Sequence, residues 1–440
     1  MFTAPASLPD DPATLKAVLS AALAEIARLH QLIAGLQRHR FGRRSEKLDD
    51  ATVEQGAEDL SQALAEQQAG LEAAAAFRAR GYEGAVTLIC EEPHAPYQRP
   101  PLSKQFLLGK QQSESLPLRA LSFYEKHRID LILGDRATEI NPGGKRVHLA
   151  GGGSVPYEHL ILALGARNRI LAGTEHVLYL RTLDDAEALQ GKLADAGSVL
   201  VIGGGFIGLE VAATARKLGK AVTVIETQPR LMARAVSPMI SEFFLKLHQA
   251  HGAEVRLRSS LSEAPAADVV VAGIGVIPNV ELAREAGLAV DNGIVVDEFL
   301  RTSDPYVFAI GDCANHPNVF AGGRTRLESV QNAVDQAKCV ARTITGDPAP
   351  YRDVPWFWTD QYDVRFQMAG ISAGYDEYAV RGDVDGQKFS VFYFKAGKLL
   401  AVDSVNHFGD HVAARKMLAT GSALTPQQAA DTTLDLKKLG

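Results

Sequence analysis

VLVIGGGFIGLEVAATARKLGKAVTVIE, residues Val199–Glu226, is the stretch whose reading decides the fold. Four apolar residues, Val199–Ile202, predict a buried parallel strand. Gly203, Gly205 and Gly208 then supply a G-x-G-x-x-G turn into a helix. The first glycine permits the tight turn and the second lets a pyrophosphate approach the backbone. The third lets helix and strand pack closely, and the helix N-terminus offers unpaired N–H groups to an anion. The alanines of Glu210–Leu218 suit a helix lying close on a sheet, with Gly219 as its stop. A second strand, Ala221–Ile225, ends on Glu226, eighteen residues after Gly208, where a carboxylate can take ribose hydroxyls. A glycine-rich structural turn is the bland alternative. The strand before, the helix after and the acid at this distance together point to dinucleotide binding.

The chain has 440 residues, length for two to four domains, and 46% apolar and 22% charged residues are ordinary for a globular protein. A net charge of −6 argues against general nucleic-acid affinity. Cys90, Cys313 and Cys339 form no C-x-x-C, so neither a redox dithiol nor a metal knuckle is signalled. Such cysteine usage fits a reducing cytoplasm. MFTAPASLPDDP lacks the basic start and apolar core of a signal peptide, and Val269–Val280 is too short to span a bilayer.

Within 13–38, Leu15, Leu19, Ala22, Ile26, Leu29, Ile33 and Leu36 form a heptad seam, a candidate homodimer coiled coil or an amphipathic helix packed on its own protein. The basic run Arg38–Arg44 follows, and a solvated face is the simpler account of it than phosphate binding. The segment Leu8–Asp50 resembles the N-terminal leader of bacterial insertion-sequence transposases, a resemblance that stops near Gln67. From there the composition changes. GLEAAAAFRARG at 70–81 matches GLEVAATARKLG at 208–219 in seven of twelve positions, and AVTLI and AVTVI follow in turn. This is an internal duplication, two Rossmann-type units in one chain. In that register Ala65 and Gln67 stand opposite Gly203 and Gly205, and SQAL at 61–64 stands opposite VLVI. The first unit therefore keeps its third glycine, Gly70, but lacks its first strand and two glycines.

Further motifs follow in order: EEPHAPYQRPPLSK at 91–104, LILALG at 160–165, LRTL at 180–183, GIGVIPN at 273–279, TSDPYVFAIGDCA at 302–314 and WFWTDQY at 356–362. In this order they resemble the NADH-dependent ferredoxin reductases of oxygenase systems, flavoproteins with a glutathione-reductase-type fold, over about residues 69–420. The resemblance implies an α/β fold with two Rossmann-like dinucleotide-binding domains, the FAD domain split by the NAD domain, a C-terminal α+β domain and a helical coiled-coil-like extension. The expected boundaries are 1–67 for the extension, 68–175 and 291–348 for the FAD domain, 176–290 for the NAD domain and 349–440 for the C-terminal domain. The last is read from FSVFYF at 389–394 and KLLAVDSVN at 398–406 around an Ala396-Gly397 turn.

The same resemblance implies site residues. Asp312 would hydrogen-bond the ribityl chain of FAD, where the alternative is a turn aspartate capping a helix. Glu91 is the candidate for the adenosine ribose, displaced by one because Cys90 occupies the position matching Glu226. Ala69, Ala137, Arg181 and Val330 match positions lining the FAD site, and Gly275 belongs to the NAD site. Lys104, behind the rigid Pro100-Pro101 pair, matches a lysine beside the flavin that pairs with the glutamate matching Glu210. Trp358 matches an aromatic covering the flavin near the acceptor. Each of these has a plain surface or core role as its alternative.

With no cysteine pair to receive electrons, the flavin of such an enzyme must deliver them singly to a separate protein, a ferredoxin-type [2Fe-2S] protein or rubredoxin. Glu226 followed by Thr227-Gln228 favours NADH, with Arg230 a weak counter-argument. Losing one or two charge-assisted amide–pyrophosphate bonds is expected to lower FAD affinity by roughly 10²–10⁴. The stretch Arg256–Asp268 is shorter than the family pattern by about a β-hairpin. The rival expectation is a fusion product with impaired FAD binding, a coiled-coil oligomer that retains only NADH binding.

Overall fold

The structure is a computed structural model that describes residues 69–439. The expected coiled coil at 13–38, the basic run and the stretch 61–67 lie outside the described residues.

Val199–Ile202 is buried because a parallel strand covered on both faces has no side facing water. The strand runs Ser198–Ile202 and sits inside a four-stranded, all-parallel sheet. The sheet order is Glu254–Leu257, Ala221–Glu226, Ser198–Ile202, Val269–Ala272. The helix Phe206–Lys217 follows the glycine turn and ends before Gly219, whose φ of +78° suits the left-handed stop. Where the chain is short of a hairpin, a single 3-10 turn, Leu261–Glu263, leads from Glu254–Leu257 towards Val269–Ala272.

The duplicated unit has the same local order. The helix Ala69–Ala79 precedes the strand Val86–Cys90, which pairs in parallel with Ile129–Leu133. The strand Leu160–Leu162 pairs in parallel with Val307–Ala309, a partner reached only after the chain has passed through the four-stranded sheet. Among the described residues these are two separate two-stranded sheets. Val86–Cys90 is half-buried at every position, whereas Val199–Ile202 is buried at every position. Among the described residues, Ser198–Ile202 has a parallel neighbour on each side and Val86–Cys90 pairs with Ile129–Leu133.

The C-terminal sheet is antiparallel, in the order Trp356–Gln361, Val364–Gly370, Lys398–Val405, Lys388–Lys395, Glu377–Asp383. The turn between Lys388–Lys395 and Lys398–Val405 falls at Ala396 and Gly397, both with positive φ (49° and 74°), as a two-residue hairpin requires. FSVFYF is buried throughout because each face has a partner. Phe392 and Phe394 pack with Ala413, Ala414 and Met417 of the helix Phe408–Thr420. Phe389, Val391 and Tyr393 join a core with Ile240 and Phe244 of the helix Pro238–Ala250. One polar link crosses that second interface. Tyr393 donates to Asp403 Oδ2 at 2.7 Å and lies 2.8 Å from the hydroxyl of Ser237, the N-cap of Pro238–Ala250. No helix among the described residues is long and apolar enough to cross a membrane.

Burial raises the Asp403 carboxyl to about 7, against a partial lowering by the Tyr393 hydroxyl. Between the ordinary carboxylate value and 7 the folded state therefore holds a proton that the unfolded chain has lost, so this group makes stability fall as pH rises through that window. Asp403→Asn should remove the decline: the variant's stability relative to the parent should increase from pH 4 to pH 7 in urea unfolding. A constant difference would show that Asp403 is ionised throughout.

Candidate functional site

The helix Phe206–Lys217, the Pro100–Ser103 turn and the strand Trp356–Gln361 meet at one buried carboxylate, Glu210, which is 3% exposed. A buried anion must be fully hydrogen-bonded or it costs several kcal/mol. Glu210 accepts from Lys104 Nζ at 2.8 Å and Thr359 Oγ1 at 2.6 Å on Oε1, and from Ser103 Oγ at 2.5 Å on Oε2. The proline pair starts a 3-10 turn whose end is closed by Lys104 N–H on Pro101 O. That turn aims the Lys104 side chain inward, leaving it 18% exposed.

Lys104 and Glu210 lie on the wall of a cavity of about 3090 Å³. A single small-ligand pocket is about 300–1,000 Å³, so this space has room for two dinucleotides end to end. Every residue singled out from the sequence lines it except Gly208. That exception follows from geometry. A Cβ on Gly208 would stand 2.4 Å from Gly203 O and 3.2 Å from Val201 Cγ1, so this glycine serves helix–strand packing behind the site. Gly203 has φ +102°, and a Cβ there would meet Gly273 O at 2.5 Å. Gly205 differs: its Cβ would have only Gly273 O within 4 Å, at 3.7 Å. Packing within the protein does not demand a glycine there. Glu226 closes the turn, with Oε2 accepting from Gly204 N–H at 2.7 Å and Oε1 from Gln228 N–H at 2.7 Å. The Arg230 guanidinium is taken up by Val236 O, Ala233 O and Ser241 Oγ. Gly275, at φ +96°, lies at the cavity edge beside Arg234.

At the other end, Ala69 and Gly70 of the helix Ala69–Ala79 line the cavity. Gly70 repeats the role of Gly208: a Cβ would meet Leu88 Cδ1 at 2.9 Å. Ala137 begins the strand Ala137–Asn141, and Val330 begins the helix Val330–Ile344, capped by Ser329. Asp312 is paired with Arg181 at 2.8 Å. Glu91 is brought to none of these; it is exposed, 3.9 Å from Arg136. The neighbouring acid, Glu92, is the engaged one, accepting from Arg99 Nη2 at 2.5 Å and Tyr97 Oη at 2.6 Å. Arg99 also donates to Arg181 O, and Arg326 donates to Asp312 O. Sequence reading assigned no role to Arg99, Glu92, Ser103, Thr359 or Arg326, although all but Arg326 lie within quoted motifs or directly beside Lys104. Trp358 is 8% exposed and adjoins Trp356, with ring centroids 5.5 Å apart.

The wall fits FAD in its chemistry: a half-buried cation held by a buried carboxylate, an acid on the Gly311 turn and the N-terminus of the helix Val330–Ile344. It does not fit dithiol chemistry. Cys90, Cys313 and Cys339 are all unpaired, and burial pushes their thiols up to about 11, 11 and 12.

Comparison with known families places this geometry. Residues 68–337 match the family described as pyridine nucleotide-disulphide oxidoreductase. The chain belongs to that family. Its residues 356–440 match a second family, reductase C-terminal, and 28–101 match the transposase C of IS166 homeodomain, overlapping the start of the oxidoreductase match. Rhodocoxin reductase of Rhodococcus erythropolis is 50% identical over 391 residues, covering 84% of this chain and 92% of that protein. The solved ferredoxin reductase for the CYP199A2 system from Rhodopseudomonas palustris superimposes with a TM-score of 0.82 at 46% identity, covering 84% of this chain and 97% of that one. The reductase in the covalent putidaredoxin reductase–putidaredoxin complex gives 0.80 at 39%, covering 84% and 95%. Family members of this kind carry FAD and use NADH, and the described residues here supply an α/β fold with a C-terminal antiparallel sheet to match.

The glycine contacts separate packing from binding. Gly208→Ala should destabilise the protein by about 1–3 kcal/mol through the forced contact with Gly203 O. Gly205→Ala should leave the melting temperature near that of the parent and weaken NADH at least about tenfold, the loss of one charge-assisted bond. Thermal unfolding and NADH titration of both variants check this; equal losses of stability would end the distinction.

Proposed function

We propose that the chain takes electrons from NADH through FAD and passes them to a ferredoxin-type [2Fe-2S] protein or rubredoxin serving an oxygenase system. The observation that carries this reading is the Lys104–Glu210 pair on the wall of a two-nucleotide cavity that has no dithiol. The FAD domain is formed by about 68–175 and 291–348, the NAD domain by 176–290 and the acceptor-facing domain by 349–440. This division follows the strand pairing of Leu160–Leu162 with Val307–Ala309 across the inserted parallel sheet.

Bound FAD would accept hydride from NADH and release electrons one at a time. The chain's own residues prepare that exchange. Gly203 and Gly205 leave the pyrophosphate a path to the helix N-terminus, and Glu226 takes the adenosine ribose hydroxyls of NADH. Arg230 is engaged by three other groups, so its guanidinium is not held open for a 2′-phosphate. Gly275 keeps backbone close to the nicotinamide half. Lys104 supplies fixed positive charge beside the isoalloxazine, and Glu210 holds it in place. Asp312 and Arg181 take the ribityl and phosphate side, with Ala69, Gly70, Ala137, Val330 and Glu91 lining the adenosine portion. Trp358 covers the ring edge towards the acceptor. The same reading places the protein in the cytoplasm.

One observation favours a second reading, a form that binds NADH but holds FAD loosely. It lies in the sequence: Ala65 and Gln67 stand where the second unit has Gly203 and Gly205. Purified protein separates the two. The main reading expects a yellow chromophore, NADH-dependent reduction of ferricyanide and at least about tenfold preference for NADH over NADPH. Colourless protein that reduces nothing after FAD is added, yet still titrates with NADH, supports the second reading and overturns the first.

A further inference from the structure

The Glu210 carboxylate is also the end of a longer hydrogen-bond chain that leaves the cavity. Thr359 Oγ1, which contacts Glu210 Oε1, lies 3.4 Å from Gln361 Nε2 two residues along the same strand. Gln361 Oε1 is 2.9 Å from His248 Nε2, and His248 Nδ1 is 3.3 Å from Tyr362 Oη. The Tyr362 ring stacks on exposed His251, with centroids 3.7 Å apart and planes at 15°. The chain thus runs from the surface to Lys104 through three elements: the helix Pro238–Ala250, the strand Trp356–Gln361 and the helix Phe206–Lys217. Thr359, Gln361 and His248 are each fully buried.

The chemistry of these groups fixes the direction of every bond. The carbonyl oxygen of Gln361 can only accept, so His248 Nε2 carries the hydrogen. A neutral ring then leaves Nδ1 as an acceptor, and the Tyr362 hydroxyl donates to it. Burial supports both assignments, lowering His248 to about 4 and raising Tyr362 to about 12. The Gln361 amide donates to Thr359, whose own hydrogen is therefore free to point at Glu210. All donors aim the same way, towards the carboxylate, and bonds in such a series polarise one another. Two anchors hold the outer end: Lys217 Nζ donates to Tyr362 O at 2.7 Å, and Tyr362 sits at φ +55° in the tight turn before Val364–Gly370.

We propose that Thr359, Gln361 and His248 are positioning residues for the reductase reaction, a one-directional hydrogen-bond chain that fixes the Glu210 carboxylate and through it the Lys104 ammonium. The inference rests on the reading of Lys104 given above. Without the Thr359 hydroxyl, Oε1 retains Lys104 as its sole partner and the pair can rotate about the Ser103 contact. Lys104 then spends part of its time away from the site where reducing equivalents arrive.

The test compares three variants of the flavin-loaded protein with the parent: Thr359→Val, Thr359→Ser and Lys104→Met. Stopped-flow flavin reduction gives the limiting rate and the half-saturating NADH concentration separately. Thr359→Val should lower the limiting rate about tenfold, with half-saturation within about twofold of the parent, and Thr359→Ser should restore the rate. A second readout needs no turnover: two-bond ¹H–¹⁵N spectra should show His248 as the Nε2–H tautomer, identified by its absence in His248→Phe. If Thr359→Val matches the parent while Lys104→Met is slow, the positioning chain is wrong and the role of Lys104 stands. If Lys104→Met matches the parent, the reading of Lys104 fails. An Nδ1–H tautomer overturns the chain's direction whatever the rates, including when Thr359→Val does not retain flavin.

Discussion

A carboxylate removed from water must be answered by donors, and Glu210 is answered from three sides. Lys104 and Ser103 come from the loop before the inserted sheet, and Thr359 comes from the C-terminal sheet. Because the helix bearing Glu210 begins at the glycine turn of Val199–Glu226, one buried charge joins the nucleotide fingerprint to both remaining parts of the molecule. Breaking such an arrangement by removing a single partner costs more than the pair contributes, since the surviving charge stays buried. The cavity wall is thereby held in one geometry, which is what a site handling small rearrangements of charge requires.

Packing supplies the rest of that rigidity. Phe389, Val391 and Tyr393 of the C-terminal sheet share a core with Phe244 and Ile240, so the sheet and the helix Pro238–Ala250 behave as one body around the cavity. Tyr393, Asp403 and Ser237 tie the same interface with hydrogen bonds. The strand Trp356–Gln361 is an edge strand, yet Trp356, Trp358, Thr359 and Gln361 on it are buried.

How much of this the sequence discloses depends on the range of the interaction. Val199–Glu226 carries its fold locally, through apolar run, glycine spacing and terminal acid, and both described strands start within a residue of the expected ones. The Ala396-Gly397 turn was equally legible, because a two-residue hairpin needs positive φ at both positions. The pair of Lys104 with Glu210 came from the resemblance, and the structure has it; the other polar partners were not legible. Glu92, not the adjacent Glu91, meets Arg99 and Tyr97, a choice set by side-chain direction at the end of a strand and invisible to spacing. Thr359 and Gln361 read as ordinary strand residues with period two; the reason they are polar lies on a helix more than one hundred positions away. Gly205 and Gly208 look identical in a motif, and only the distances around them show that one has room for a side chain and the other is closed by Gly203 O.

The pairing of Leu160–Leu162 with Val307–Ala309 also sets an order of assembly. During synthesis the amino-terminal half emerges first, and among the described residues the parallel partner of its strand Leu160–Leu162 is Val307–Ala309, which leaves the ribosome much later. The four-stranded sheet is complete once Ala272 has emerged, so the inserted unit can fold while the unit around it waits. A nascent chain stalled near residue 290 would thus carry a finished nucleotide domain flanked by an exposed apolar strand, the species for which a chaperone is most needed.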